Sequence, residues 1–274
     1  MKVSVISSSM WEARRASIYG SETQNFLLAE ELGKNGYDVH LFAASGSEKS
    51  PYFKLHYIPK KYGSLYFELE SYPIKYYSDI LKDSDIIIDA SATNLVAEWA
   101  YLRDKKFIIY RNGTGVTARI FKYHNTVVLS NRAKSMIPYP TEVIPYGIDE
   151  NFYDPNKEES GENFILYLSR PHPSKGLGVF IKIAGMFPDE KFVVSVPMVT
   201  AEQIAYSSKY LVDVPNNVEV IPANSDINGL VKRKLYAHSK CLFLPLSPDY
   251  VEAFGLVFAE QMAMNKPVRT KRNL

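Results

Sequence analysis

The 274-residue sequence predicts two doubly wound α/β domains, on three observations. Apolar runs rich in Val and Ile recur along the chain, and each is followed by a helical pattern. The runs are continuously apolar rather than alternating, as in strands buried on both faces of a parallel sheet. Midway, the charged stretch "DENFYDPNKEESGEN" (149–163) breaks the rhythm with Pro and Gly, as an interdomain linker does. The expected domains are therefore 1–148 and 164–274, both Rossmann-like.

In the first domain, "KVSVISS" (2–8) precedes the amphipathic "SETQNFLLAEELGKNG" (21–36), which opens on a serine cap and stops at Gly36. "DVHLFAA" (38–44) follows at once. Then come "DIIIDAS" (85–91) with the helical "ATNLVAEWAYL", "KFIIYRN" (106–112), "NTVVLSN" (125–131) with "RAKSMI", and the short "EVIPYG" (142–147). Between them, residues 52–77 hold seven of the 20 tyrosines, with Lys54, Lys60, Lys61 and Lys75. That stretch reads either as a strand and helix packing the domain or as an acceptor- or membrane-facing surface. The second domain restarts with "FILYLS" (164–169), "KFVVSVP" (191–197), "VEVIP" (218–222) and "CLFLPL" (241–246), each followed by a helical segment, the last being "GLVFAEQMAMN".

Bulk composition excludes several classes. Hydrophobic residues at 46% and charged residues at 23% are those of a soluble protein. A net charge of +2 gives no global case for nucleic acid. Cys241 is the single cysteine, inside an apolar run, so it reads as a buried strand thiol and excludes an intrachain disulfide. "MKVSVISSS" is too short and strand-like for a signal peptide, and no apolar run approaches the ~18 residues of a membrane span. The expected location is cytoplasmic.

Ligands of open parallel sheets gather at the carboxyl ends of the strands, and four stretches fall there. "YGSETQ" (19–24) places Gly20 and Ser21 between a strand and a helix N-terminus, either as a turn and cap or as an approach for an anion. "LSRPHPSKG" (168–176) carries Arg170 and Lys175 ahead of a helix opening near Lys175. Cations there oppose the helix dipole, so they imply an anion to be held or else a solvated loop. In "EAFGLVFAE" (252–260), Gly255 permits a sharp turn, and the N–H groups of Gly255, Leu256 and Val257 stand free at the helix start. Glu252 precedes the turn. At ~1.5 Å of rise per residue, Glu260 lies several ångströms along the helix, where a carboxylate can accept two vicinal hydroxyls. "IPYGID" (144–149) reads as a structural hinge. The five histidines are scattered, and no cluster has metal-ligand spacing.

Taken in order, these stretches resemble the GT-B fold, retaining nucleotide-sugar glycosyltransferases of family 4. That family's Glu–seven residues–Glu signature, with FG after the first Glu, appears as Glu252, Phe254-Gly255 and Glu260. Its "GR…EKG" loop appears as Ser169-Arg170 and Ser174-Lys175-Gly176. Its "PNG[VI]D" junction appears as Pro145-Tyr146-Gly147-Ile148-Asp149, and its "GG.E" turn as Tyr19-Gly20-Ser21-Glu22.

The resemblance implies a nucleoside diphosphate sugar as donor, with no cofactor and no metal. Arg170, Lys175 and the amides after Phe254 would hold the diphosphate, Glu260 the ribose and Glu252 the transferred hexose, while Gly20 faces the donor phosphates. The acceptor, a glycan, lipid or protein hydroxyl, would attack from the leaving-group face with a phosphate oxygen as base. Two departures stand out. "YRNGTGVTAR" (110–119) lacks the family's histidine, leaving Arg111, Asn112 or Thr114 to face the donor. After "KPV" the chain closes on "RTKRNL", so the resemblance implies a C-terminally shortened second domain with an exposed sheet edge, open to self-association. A non-catalytic nucleotide-sugar-binding remnant and a phosphorylase-like sugar-phosphate transferase are the rival readings.

Overall fold

The structure, a computed structural model, describes residues 1–59, 66–113, 125–139, 141–158, 161–198, 200–222 and 229–270. The chain divides into two compact units. The first comprises Met1–Arg15, Tyr19–Gly147 and Val251–Phe254, and the second Ala16–Ile18, Ile148–Tyr250 and Gly255–Leu274.

The first unit carries β1 (Lys2–Ile6), α1 (Gly20–Lys34), β2 (Asp38–Ala44), β3 (Lys54–Ile58), α2 (Tyr66–Glu70), α3 (Tyr72–Tyr76) and α4 (Ser78–Asp83). It continues with β4 (Ile86–Asp89), α5 (Leu95–Tyr101), β5 (Phe107–Tyr110), β6 (Thr126–Val128), α6 (Asn131–Lys134) and β7 (Glu142–Val143). Its sheet runs β3-β2-β1-β4-β5-β6-β7, and every pairing is parallel. Side chains alternate across the strands, so Val3, Val5 and Leu41 pack with Phe26 and Ala29 of α1 on one face. Ile6, Phe42, Ile87 and Ile109 pack with Leu81 of α4 and with Val96 and Ala100 of α5 on the other. The continuously apolar runs are the direct consequence of those two covered faces.

The second unit carries β8 (Phe164–Leu168), α7 (Leu177–Met186), β9 (Phe192–Val196), α8 (Ala201–Leu211), β10 (Val218–Pro222), α9 (Leu230–His238), β11 (Ser239–Leu244), α10 (Leu256–Ala263) and β12 (Val268–Thr270). Its parallel sheet runs β10-β9-β8-β11-β12, over a core of Leu166, Tyr167, Phe180, Phe192, Tyr236 and Leu242. A capping box opens α8, in which Thr200 accepts from the Gln203 amide and the Gln203 side chain accepts from the Thr200 amide. Cys241 lies half-buried in β11, and burial raises its thiol pKa.

The expected serine cap of α1 is corrected, and the linker-like and tyrosine-rich stretches take defined places. The linker 149–163 is part of the second unit, because Phe152 and Tyr153 pack into its core. α1 begins at Gly20, with Tyr19 as its N-cap and no side-chain cap; the Ser21 hydroxyl instead hydrogen-bonds that of Tyr146. The tyrosine-rich stretch forms β3 and two short helices, in line with its packing alternative, with Ile58, Tyr72, Ile74 and Tyr77 in or against the core; Lys60 and Lys61 lie outside the described residues. Asn265 adopts the left-handed conformation (φ 55°) that its place after α10 requires.

Two histidines on the β2–β3 edge give unit 1 a pH dependence. His40 Nδ1 and His56 Nε2 are 2.8 Å apart, with stacked rings. Burial pushes both pKa values down, that of His56 to about 4, helped by His40 and Lys54; Lys54 and Lys2 oppose a charge on His40, and Asp38 favours it. Between about pH 6.5 and about 4 the unfolded chain binds protons that the folded pair does not. The pair's contribution is therefore complete above about 6.5 and is lost as pH falls through that window. Buried Asp89 and Glu70, with raised pKa values, act with the opposite sign. Thermal melts from pH 7 to 4 are expected to show the midpoint falling by several degrees, and His40→Gln/His56→Gln to flatten that slope. An unchanged slope in the double variant would refute this account.

Candidate active site

At the carboxyl edge of the second unit, the loops after β8 and β11 are tied together. The Ser247 amide donates to the Ser174 carbonyl at 2.9 Å. Gly176 is needed here for two reasons: its φ is +74°, and a Cβ would meet the Pro245 carbonyl oxygen at 1.9 Å. Pro173–Lys175 form a 3₁₀ turn rather than the expected helix start, and α7 opens at Leu177. The His172 ring caps that turn, with Nδ1 2.7 Å from Ser174 Oγ. This local bonding gives His172 a structural task.

The two cations of the loop differ in setting. Arg170 is exposed at the end of β8. Lys175 is 6% exposed, and its Nζ lies 4.5 Å from the centre of the Tyr250 ring. A desolvated ammonium over an aromatic face interacts more strongly with anions than a surface lysine does. Gly255 caps α10 in the left-handed conformation (φ 75°), and Leu256 and Val257 form the first turn. The first amides of any helix have no intrahelical acceptor, which makes this end suited to an anion.

Glu252 and Phe254 group with the first unit. The Phe254 ring packs edge-on against Tyr146, with centroids 5.5 Å apart. The half-buried Glu252 adds to the burial that raises the Tyr146 pKa. Tyr146 donates to Asn112 Oδ1 at 2.9 Å, and Asn112 Nδ2 donates to the Ala90 carbonyl at 2.9 Å. Gln24 holds the Gly147 carbonyl at 2.9 Å. The "IPYG" junction is thus pinned within unit 1. Gly20 and Ser21 sit half-buried at the start of α1, and Thr114 lies outside the described residues.

Glu260, assigned to the ribose by the resemblance, lies in the interior of the second unit. It is 1% exposed, with both oxygens engaged. Oε1 accepts from Tyr153 at 2.7 Å and Lys232 Nζ at 2.8 Å, and Oε2 accepts from Tyr236 at 2.8 Å. Lys232 is itself 4% exposed and also donates to the Ser17 carbonyl at 2.8 Å. This carboxylate neutralises a buried ammonium. Three residues of the cluster were missed in the sequence: Tyr153 sat among linker-like charges, while Lys232 and Tyr236 share a helical face with Leu235, a spacing that was legible.

Among the described residues, no group of three or more His, Cys, Asp or Glu side chains could hold a metal ion. Among them, too, no helix is long and apolar enough to cross a membrane.

The two parallel sheets with helices on their faces form the GT-B fold, as solved structures show. AviGT4, a glycosyltransferase involved in avilamycin A biosynthesis, matches 98% of this chain and 78% of its own at 17% identity, with a TM-score of 0.70. The sucrose-phosphate synthase of Thermosynechococcus elongatus matches 98% of this chain and 80% of its own at 16% identity and a TM-score of 0.72. HepE of Anabaena, solved with UDP and glucose, matches 98% and 80% at 14% identity and a TM-score of 0.68. At these identities the likeness establishes the fold. No family model matches the sequence, and no curated protein is similar to it.

Proposed function

We propose that the chain is a glycosyltransferase that moves a hexose from a nucleoside diphosphate sugar to an acceptor hydroxyl, with retention at the anomeric carbon. The observation that carries this reading is the anion cradle of the second unit, where buried Lys175 and exposed Arg170 share a carboxyl edge with the N-terminus of α10. The solved neighbours with the same fold are glycosyltransferases, and one is solved with UDP and glucose.

In this reading Arg170, Lys175 and the amides of Gly255, Leu256 and Val257 hold the diphosphate. Glu252 takes hydroxyls of the transferred sugar. Glu260 is given no ligand. The acceptor oxygen bonds to the anomeric carbon as the bond to the diphosphate oxygen breaks. The electron pair leaves on the diphosphate, and the acceptor proton passes to a phosphate oxygen. Charge builds on the leaving group, where fixed cations and helix amides stabilise it without a divalent ion.

Calorimetric titration with UDP, GDP, ADP and their hexose conjugates, with and without EDTA, tests the reading. Metal-independent binding of one nucleotide, followed by sugar transfer from its conjugate, is the expected result. Binding without transfer would favour a non-catalytic nucleotide-sugar-binding protein, and no binding to any of them would overturn the donor site.

A further inference from the structure

The first unit holds a buried charge that the donor site does not explain. Arg111 follows β5 at the carboxyl edge of the sheet and is 9% exposed. Its backbone amide is committed to the Val127 carbonyl at 3.0 Å, but its Nε is enclosed without an acceptor. Among the described residues, no carboxylate forms an ion pair with it, and the titratable side chain acting on it is Tyr139. The carboxylate ending the neighbouring strand is already engaged: Asp89 accepts from the Ser91 amide and hydroxyl and from the Ala97 amide. Glu70, near the same loop, accepts from Ala92 and Thr93. Asn112, next in the chain, is held by Ala90 and Tyr146.

A guanidinium stays charged even in such surroundings, and burying it without a counter-ion opposes folding. Groups that destabilise the empty protein in this way are characteristic of ligand sites, and the carboxyl edge of a parallel sheet is where such sites lie. The planar fork matches two oxygens of a phosphate or carboxylate. Ser9 Oγ, in the loop after β1 on the same edge, is likewise buried without a partner.

We propose that Arg111 forms an oxyanion site in the first unit, holding a phosphate or carboxylate carried by the molecule that accepts the sugar. The assignment to the acceptor rests on the glycosyl-transfer reading; the oxyanion site itself does not.

The test titrates the full chain with inorganic phosphate, glucose 6-phosphate, glucuronate and glucose, and repeats the series on Arg111→Gln and Arg111→Lys. The wild type is expected to bind at least one anionic probe and to bind it better than glucose. Arg111→Gln should weaken that probe tenfold or more, as loss of a charged bidentate contact does, and Arg111→Lys should restore part of it. The nucleoside diphosphate affinity should not change. The thermal midpoint of Arg111→Gln should equal or exceed that of the wild type, because an uncompensated buried charge is removed. A preference for glucose 6-phosphate or for glucuronate identifies the group, and either upholds the site. No anion binding by the wild type would overturn the proposal. So would unchanged binding in Arg111→Gln, a lowered midpoint showing that the arginine is structural, or a loss of nucleoside diphosphate affinity placing it with the donor. None of these readouts needs transfer activity, so failure of the proposed function would be seen separately.

Discussion

Replacing Glu260 with alanine or Lys232 with methionine is expected to destabilise the second unit by about 3–5 kcal/mol, the usual effect of breaking a buried ion pair. For a unit of this size, that corresponds to a fall in thermal midpoint on the order of 10 °C. Losing the carboxylate removes the counter-charge of an ammonium that is 4% exposed and that also donates to the Ser17 carbonyl. It also strips an acceptor from the hydroxyls of Tyr153 and Tyr236. Losing the lysine leaves a carboxylate with the neutral donors Tyr153 and Tyr236 and no counter-charge among the described residues. The paired replacement Lys232→Met/Glu260→Ala should therefore be less harmful than the sum of the two singles, by about 1–3 kcal/mol of coupling. Denaturant unfolding of the four proteins measures that coupling. Nucleotide affinity separates this account from a ribose contact. Glu260→Gln, assayed below its own transition, should bind the nucleotide as the wild type does. A large loss of affinity at an unchanged midpoint would return Glu260 to the ribose.

The fold was legible where burial on both faces forces continuous apolar runs, as in "VSVI", "DIIIDA" and "FILYL". It was less legible at the edges. β3 leaves Lys54 and Tyr57 exposed, and β12 is only three residues long with Arg269 outward, so neither reads as a buried strand. The cradle was partly legible: cations before a helix, and glycine at a strand-to-helix turn, are local chemistry that spacing reveals. Its interior was not. Spacing places Glu260 on α10 but does not say which face of the helix is covered. That depends on Lys232 and Tyr153, which are distant in sequence. Arg111 shows the same limit from the other side. Its position after a strand was visible, whereas its lack of a counter-ion among the described residues is a property of the packed unit.

Arg170→Ala and Lys175→Met are each expected to lower the transfer rate by ~10²–10³, the range for removing one preorganised group that stabilises developing charge. The two should be separable by salt. Arg170 is exposed, so its contribution should shrink as ionic strength rises and the Debye length contracts. Lys175 is 6% exposed beneath Tyr250, and a desolvated charge is screened far less, so its contribution should persist. Arg170→Lys should recover only part of the rate, since a point charge does not reproduce the fork's two parallel bonds. Glu252→Ala should leave nucleotide binding intact and abolish transfer, because Glu252 is assigned to the sugar rather than to the nucleotide. Steady-state kinetics at two salt concentrations, alongside calorimetric nucleotide affinities, read all four variants. If each retains transfer within a few-fold of the wild type, the cradle is not where charge develops. A loss in Arg170→Ala that does not depend on salt would place that arginine in a drier setting when the donor is bound, and would make ordering of the β8 loop part of donor recognition.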